Sequence, residues 1–145
     1  MEKILLYFSL KYNGDFYKVY DALKTKENID INELIQLKRN LRYKYITMID
    51  RNYPEYLKRE NRPPIVLFYE GNLSLVDSGL PIKNEMLENG HRMISTVKPI
   101  EHNGKIIFDY VVACENQDDL KFLIDHIKSK GLTFKDYSKH KELER

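Results

Sequence analysis

The apolar residues at the start of the chain recur at the spacing of amphipathic helices. The three stripes lie at Ile4, Leu5 and Phe8, then at Phe16, Val19, Tyr20 and Leu23, and then at Leu34, Leu37 and Leu41. Asp15 is typical of a helix N-cap, and Asp30 followed by Glu33 resembles a capping box, so these residues predict where the second and third helices begin. We predict a three-helix bundle over residues 1–44.

Short runs of strand-forming residues follow this bundle. Residues 45–49 and 65–69 are rich in Tyr, Ile, Val and Phe and are too short for helices, so they predict two strands. Between them, Pro54 is placed to open a short helix, and the Pro63-Pro64 pair ends it before the second strand. These residues predict a proline-rich linker over residues 45–76.

The strongest turn signal is the Asn103-Gly104 pair, which suits a two-residue type I′ turn between β-prone runs. It predicts a β-hairpin over residues 93–115. Counting outward from the turn places Lys98 opposite Asp109, and opposite charges across a ladder agree with that register.

Two helices are predicted around the hairpin. Pro81 predicts a short helix through residue 87, with Gly90 as its C-terminal stop. Asn116 predicts the N-cap of a helix over residues 117–130, which has an apolar face of Leu120, Leu123, Ile124 and Ile127. A last short strand is predicted at residues 132–134.

These elements together predict an α+β fold. The predicted order is a helical bundle at 1–44, a linker with short strands at 45–76, a small sheet with the hairpin and one packed helix at 77–137, and a tail at 138–145.

The segment 45–75 resembles the linker of the DNA processing protein A (DprA/Smf) family, which joins a helical N-terminal domain to a nucleotide-fold domain. The residues that carry the resemblance are Asp50, Tyr53, Pro54, Leu57, Pro63, Pro64, Val66, Leu67, Phe68, Gly71 and Asn72. The preceding helices suit the family's N-terminal bundle, so the resemblance covers residues 1–76. This motif also has a structural interpretation, in which its prolines stiffen the linker and its aromatic ring fills part of a core.

The chain departs from the family after this segment. The resemblance implies a Rossmann-like strand that ends in a Gly-Ser/Thr-Arg turn, whereas residues 76–81 read Val-Asp-Ser-Gly-Leu-Pro. The single-stranded DNA binding and recombinase loading that the family places in its nucleotide fold are therefore not carried over.

Composition narrows the function classes without selecting one. The 145 residues include 24 Lys and Arg against 22 Asp and Glu, so bulk charge does not direct the protein to nucleic acid, and binding would need a local patch. A single cysteine, no signal-peptide pattern and no long apolar run predict a cytoplasmic protein without a membrane role.

No catalytic set, metal site or cofactor motif is predicted. The adjacent Asp118 and Asp119 suit a helix N-terminus, because neighbouring residues on a helix do not face each other. Cys114 ends an apolar strand and is interpreted as a buried small residue. The four histidines lack metal-ligand spacing.

A basic cluster with tyrosines between its members is the predicted nucleic-acid site, with an ordinary solvated surface as the alternative. Its residues are Lys38, Arg39, Arg42, Lys44, Lys58, Arg59 and Arg62, with Tyr43, Tyr45 and Tyr56.

Two functional hypotheses follow. The first is a non-enzymatic, DprA-derived binding protein that acts on single-stranded DNA or on a host DNA-processing protein. The second is a protein-interaction module or inhibitor, encoded by a phage or another mobile element, with no nucleic-acid role.

Pro99 predicts that the first hairpin strand lies at a sheet edge. If residues 93–97 are exposed, two copies could pair through this edge as a homodimer, or a strand of a partner protein could add there; alternatively, Lys98 and Pro99 protect the edge and the protein is a monomer.

Overall fold

The computed structural model describes residues 1–129. The helices are α1 (Glu2–Lys11), α2 (Phe16–Lys24), α3 (Ile31–Arg39), α4 (Glu55–Lys58) and α5 (Gln117–Ser129), with a 3-10 helix at Leu73–Asp77. The strands are β1 (Lys44–Thr47), β2 (Val66–Gly71), β3 (Lys83–Met86), β4 (Arg92–His102) and β5 (Lys105–Cys114). The predicted strand at 132–134 and the predicted tail lie outside the described residues.

The five strands form one antiparallel sheet in the order β1-β2-β5-β4-β3. Both linker strands belong to it, because β2 pairs with the second hairpin strand over residues 111–114. The α+β class is therefore confirmed.

Side chains at the predicted helix starts cap their helices. The Asp15 carboxylate accepts from the backbone N–H of Lys18, and the Asp30 carboxylate accepts from the N–H of Glu33. The Glu33 carboxylate does not bond back to Asp30; it accepts from the Tyr7 hydroxyl, which itself accepts from the Asp30 N–H. The tyrosine thus completes the cap and ties α3 to α1.

Two apolar clusters form the core. The first joins α1, α2 and α5 to the sheet, and its most buried members are Leu6, Tyr7, Phe8, Val19, Phe68, Val112, Cys114 and Leu120. The second lies between the sheet, α4 and the 3-10 helix, and its most buried members are Leu57, Leu67, Val76, Ile94, Val111 and Ala113. The two clusters lie on opposite faces of the sheet, because successive side chains of a strand point to opposite faces. In β2, Phe68 belongs to the first cluster and Leu67 to the second.

The hairpin has the predicted register. Lys98 lies opposite Asp109, and both Asn103 and Gly104 have positive φ angles, +53° and +78°, as a type I′ turn requires. Asn116 caps α5 by accepting from the N–H of Asp119 at 2.8 Å.

The predicted helix at residues 81–87 is wrong. The segment forms β3, which pairs with residues 92–95 of β4, and the Leu87 N–H donates to the His91 carbonyl across the connecting turn. All four β3 side chains are exposed, so the strand is held by its backbone hydrogen bonds to β4.

Because β3 pairs with β4, the prediction that residues 93–97 form an open sheet edge for a homodimer is wrong at residues 93–95. Residues 93–95 pair with β3, and Ile94 is fully buried. Pro99 lies beyond the end of β3. His102 and Lys105 flank the two-residue turn, and counting back from them places Pro99 at a non-hydrogen-bonded position of the β4–β5 ladder. The missing N–H of Pro99 therefore removes no hydrogen bond between β4 and β5.

Candidate nucleic-acid interface

The residues of the DprA-like motif have structural roles. The Tyr53 ring is buried, and its hydroxyl donates to the Pro64 carbonyl at 2.7 Å. Leu57 belongs to α4 and is fully buried, and Pro54 is the N-cap of that helix. The Asp50 carboxylate closes the turn after β1 by accepting from the Thr47 N–H at 2.7 Å.

Gly71 ends β2 with a φ of +96°. A Cβ atom there would lie 2.3 Å from the Tyr110 carbonyl oxygen, so only glycine fits between β2 and β5. The next residue, Asn72, caps the 3-10 helix by accepting from the Ser74 N–H. This part of the motif positions two strands rather than a ligand.

The predicted basic residues lie on several elements of the fold. Lys38 and Arg39 lie in the last turn of α3. Arg42 lines a small cavity of about 150 Å³ beside the start of α5, where its backbone N–H donates to the Gln117 side chain at 2.6 Å.

The other predicted residues lie on β1 and in the segment around α4. Lys44 lines a cleft on β1 and β2, and Arg59 lines a groove beside α4 and the 3-10 helix. Lys58 forms an exposed ion pair with Glu55, three residues earlier. Arg62 contacts the aromatic residues of α2.

Arg62 and α2 form the most distinctive surface, which we name the aromatic platform and define as Phe16, Tyr17, Tyr20 and Arg62. The guanidinium carbon of Arg62 lies 5.4 Å from the ring centroid of Phe16 and 5.6 Å from that of Tyr17, within cation–π range. The rings of Phe16 and Tyr20 are nearly parallel, with centroids 6.2 Å apart. The side chains of Tyr17 and Tyr20 remain 69% and 55% exposed.

The platform has further positive charge beside it. Lys18 and Lys24 lie on the same helix and are exposed, and neither forms an ion pair with any residue from 1 to 129. Asp21 is the one acidic residue within α2. Sequence reasoning assigned Phe16 and Tyr20 to a helical core stripe; the signal that it missed was Tyr17, an aromatic residue off that stripe.

A buried polar group lies at the end of the sheet nearest Arg62. The Glu115 carboxylate accepts from the Arg92 N–H at 2.9 Å, and the Arg92 side chain pairs with Glu60. Burial raises the pKa of Glu115, an effect that the nearby Arg92 and Arg62 charges reduce. Burial also raises the pKa of the adjacent Cys114 thiol, so this cysteine is a poor nucleophile.

No helix within 1–129 is long and apolar enough to cross a membrane, and this part of the chain contains no group of three or more metal-ligating side chains.

The chain was also compared with known proteins. No family model, no curated protein and no solved structure matches it.

Proposed function

We propose that this protein binds single-stranded nucleic acid without catalysis, and that the aromatic platform is the contact surface. The observation that carries the proposal is the Arg62 guanidinium group within cation–π distance of Phe16 and Tyr17, on a helix whose Tyr17 and Tyr20 are largely exposed. Every nucleobase has a π-face, so such a surface binds bases with little sequence preference.

The arrangement also lowers the cost of binding. The Arg62 side chain is held over the rings by contacts within the protein, so less side-chain freedom is lost when a phosphate or base meets its guanidinium group. Lys18 and Lys24 supply phosphate contacts, which should make the affinity depend on salt.

The DprA resemblance supports a role near DNA and implies that binding must use a different surface. The family's DNA-binding residues belong to the nucleotide fold, which the sequence after residue 76 does not continue. We therefore propose a DprA-derived binding protein that contacts DNA through its helical half.

Exchange of both platform tyrosines, Tyr17→Ala with Tyr20→Ala, should weaken binding of a labelled oligothymidylate at least tenfold. Each stacked base contributes about 1–3 kcal/mol, and 1.4 kcal/mol corresponds to a factor of ten. Fluorescence anisotropy at about 50 mM salt measures the affinity. Tyr56→Ala is the matched control, because Tyr56 is an exposed tyrosine on α4, and it should bind as the wild type does.

Arg62→Lys separates stacking from charge in the same assay. It keeps the positive charge but loses the planar guanidinium, so it should bind nearly as weakly as Arg62→Ala. Undetectable binding by the wild type would overturn the proposed function, and unchanged binding by the double tyrosine variant would overturn the role of the platform.

A second candidate function, protein binding, is favoured by the distal part of the hairpin. Among the described strands, β4 and β5 pair only with each other over residues 97–109, which we name the hairpin arm. Ile106 and Phe108 lie on one face of it and are 68% and 47% exposed, and Val97 shares that face. Exposed apolar residues next to each other are typical of protein-binding surfaces.

Ile106→Lys with Phe108→Lys tests this second candidate. If the arm binds a host protein, wild-type bait should capture that protein from a nuclease-treated bacterial lysate and the variant should not. Val97→Lys should show the same loss, whereas Ile35→Lys, which changes an exposed residue of α3, should not. Equal capture by the arm variant and the wild type would exclude the arm.

A further inference from the structure

A cleft on β1 and β2 is separate from the aromatic platform. This β1–β2 cleft has a volume of about 600 Å³ and lies on the β1 and β2 surface that faces α4 and the 3-10 helix. Its size is within the range of small-molecule sites in proteins. Its lining includes Lys44, Arg51, Asn52, Tyr69 and Asp77.

The cleft lining contains two cations, Lys44 and Arg51, and two carboxylates, Glu55 and Asp77. The Asp77 carboxylate accepts from the backbone N–H groups of Glu55 and Tyr56 at 3.0 and 2.9 Å, so it satisfies two free donors at the N-terminus of α4. The Glu55 carboxylate is paired with Lys58. In contrast, Lys44 and Arg51 form no ion pair within the described chain.

An aromatic surface and an amide accompany these two cations. Tyr69 is half-buried and packs against the second apolar cluster, which holds its ring in place on β2. On the pleated sheet it lies directly opposite Lys44, so the ring and the ammonium group belong to neighbouring strands on one face. Asn52 is exposed at the rim and can donate and accept hydrogen bonds.

We propose that the β1–β2 cleft binds a nucleotide, with Lys44 and Arg51 at the phosphate and Tyr69 stacked on the base. The shared chemistry is an aromatic base linked to a phosphate, from either a free nucleotide or the terminal nucleotide of a single strand. The inference does not depend on the aromatic platform, because no platform residue lines the cleft.

Titration calorimetry with thymidine 5′-monophosphate, thymidine and inorganic phosphate tests the proposal. The monophosphate should bind more tightly than either of its parts. Lys44→Ala with Arg51→Ala should weaken it at least tenfold, while Lys38→Ala with Arg39→Ala, which removes the same charge from α3, should leave it unchanged.

Tyr69→Leu is a second variant, because it preserves apolar packing and removes the aromatic ring. It should bind the monophosphate only as tightly as inorganic phosphate. NMR shifts of the Tyr69 and Asn72 amides would localise the ligand in each case.

The source of the nucleotide is decided by labelled oligothymidylates with and without a 5′-phosphate. If the wild type prefers the phosphorylated strand and the Lys44 and Arg51 double variant does not, the ligand is a strand terminus. If the wild type binds the monophosphate but shows no such preference, the ligand is a free nucleotide. Absence of cleft shifts with both monophosphate and phosphorylated strand at about 1 mM overturns the proposal. Equal affinity for phosphate and monophosphate also overturns it, and neither result bears on the platform variants.

Discussion

Gly14→Ala should lower the free energy of unfolding by roughly 3 kcal/mol or more, because the turn between α1 and α2 has no room for a side chain. Gly14 has a φ of +80°, and a Cβ atom would lie 2.3 Å from the carbonyl oxygen of Glu115 and 2.8 Å from its carbonyl carbon. Both atoms belong to the backbone before α5 and cannot move aside as the end of a side chain can. Urea denaturation of the purified variant measures the loss.

Gly79→Ala is the matched control for this prediction. Gly79 has nearly the same φ, +81°, but nothing lies within 4 Å of the added Cβ atom. Its cost should therefore be that of the left-handed conformation alone, about 1–2 kcal/mol. If both variants lost the same free energy of unfolding, the close contact of Gly14 with the Glu115 backbone would not contribute to the cost of the substitution.

Tyr53→Ala should destabilise the protein by about 3–5 kcal/mol, because it removes a fully buried ring from the second apolar cluster. Tyr53→Phe isolates the hydroxyl, which donates to the Pro64 carbonyl. Without that donor the carbonyl loses its hydrogen bond, and the expected cost is about 1–3 kcal/mol. Both losses are measured as shifts of the denaturation midpoint with unchanged slope.

The control for the hydroxyl is Tyr56→Phe. Tyr56 is exposed on α4, and its substitution should change stability by less than about 0.5 kcal/mol. If Tyr53→Phe were equally neutral, the bond to Pro64 would not contribute to holding α4 against β2.

The Tyr53 substitutions test how the linker motif acts. Tyr53, Leu57 and Gly71 hold the strands and the short helix in place, so the motif that resembles DprA is explained here by packing. The polar positions beside it, Lys44 and Arg51, line the cleft proposed for a nucleotide. A structural motif and a candidate ligand site thus share one segment of the chain.

Local sequence was sufficient for features whose interactions span only a few residues. The caps at Asp15, Asp30 and Asn116 bond to backbone groups two or three positions away. The type I′ turn depends on the conformational freedom of Asn103 and Gly104 alone. Such features could be predicted because their stabilising partners are adjacent in the chain.

Tertiary structure alone decided features whose partners are distant. Residues 83–86 have no strand pattern, and they form β3 because the edge of β4 offers hydrogen-bond partners to their backbone. The predicted basic residues line different cavities, Arg42 beside α5, Lys44 on β1 and β2, and Arg59 beside α4, and these surroundings depend on elements distant in sequence. Arg62 meets Phe16 and Tyr17 only after the sheet brings the linker beside α2, and no local periodicity encodes that approach.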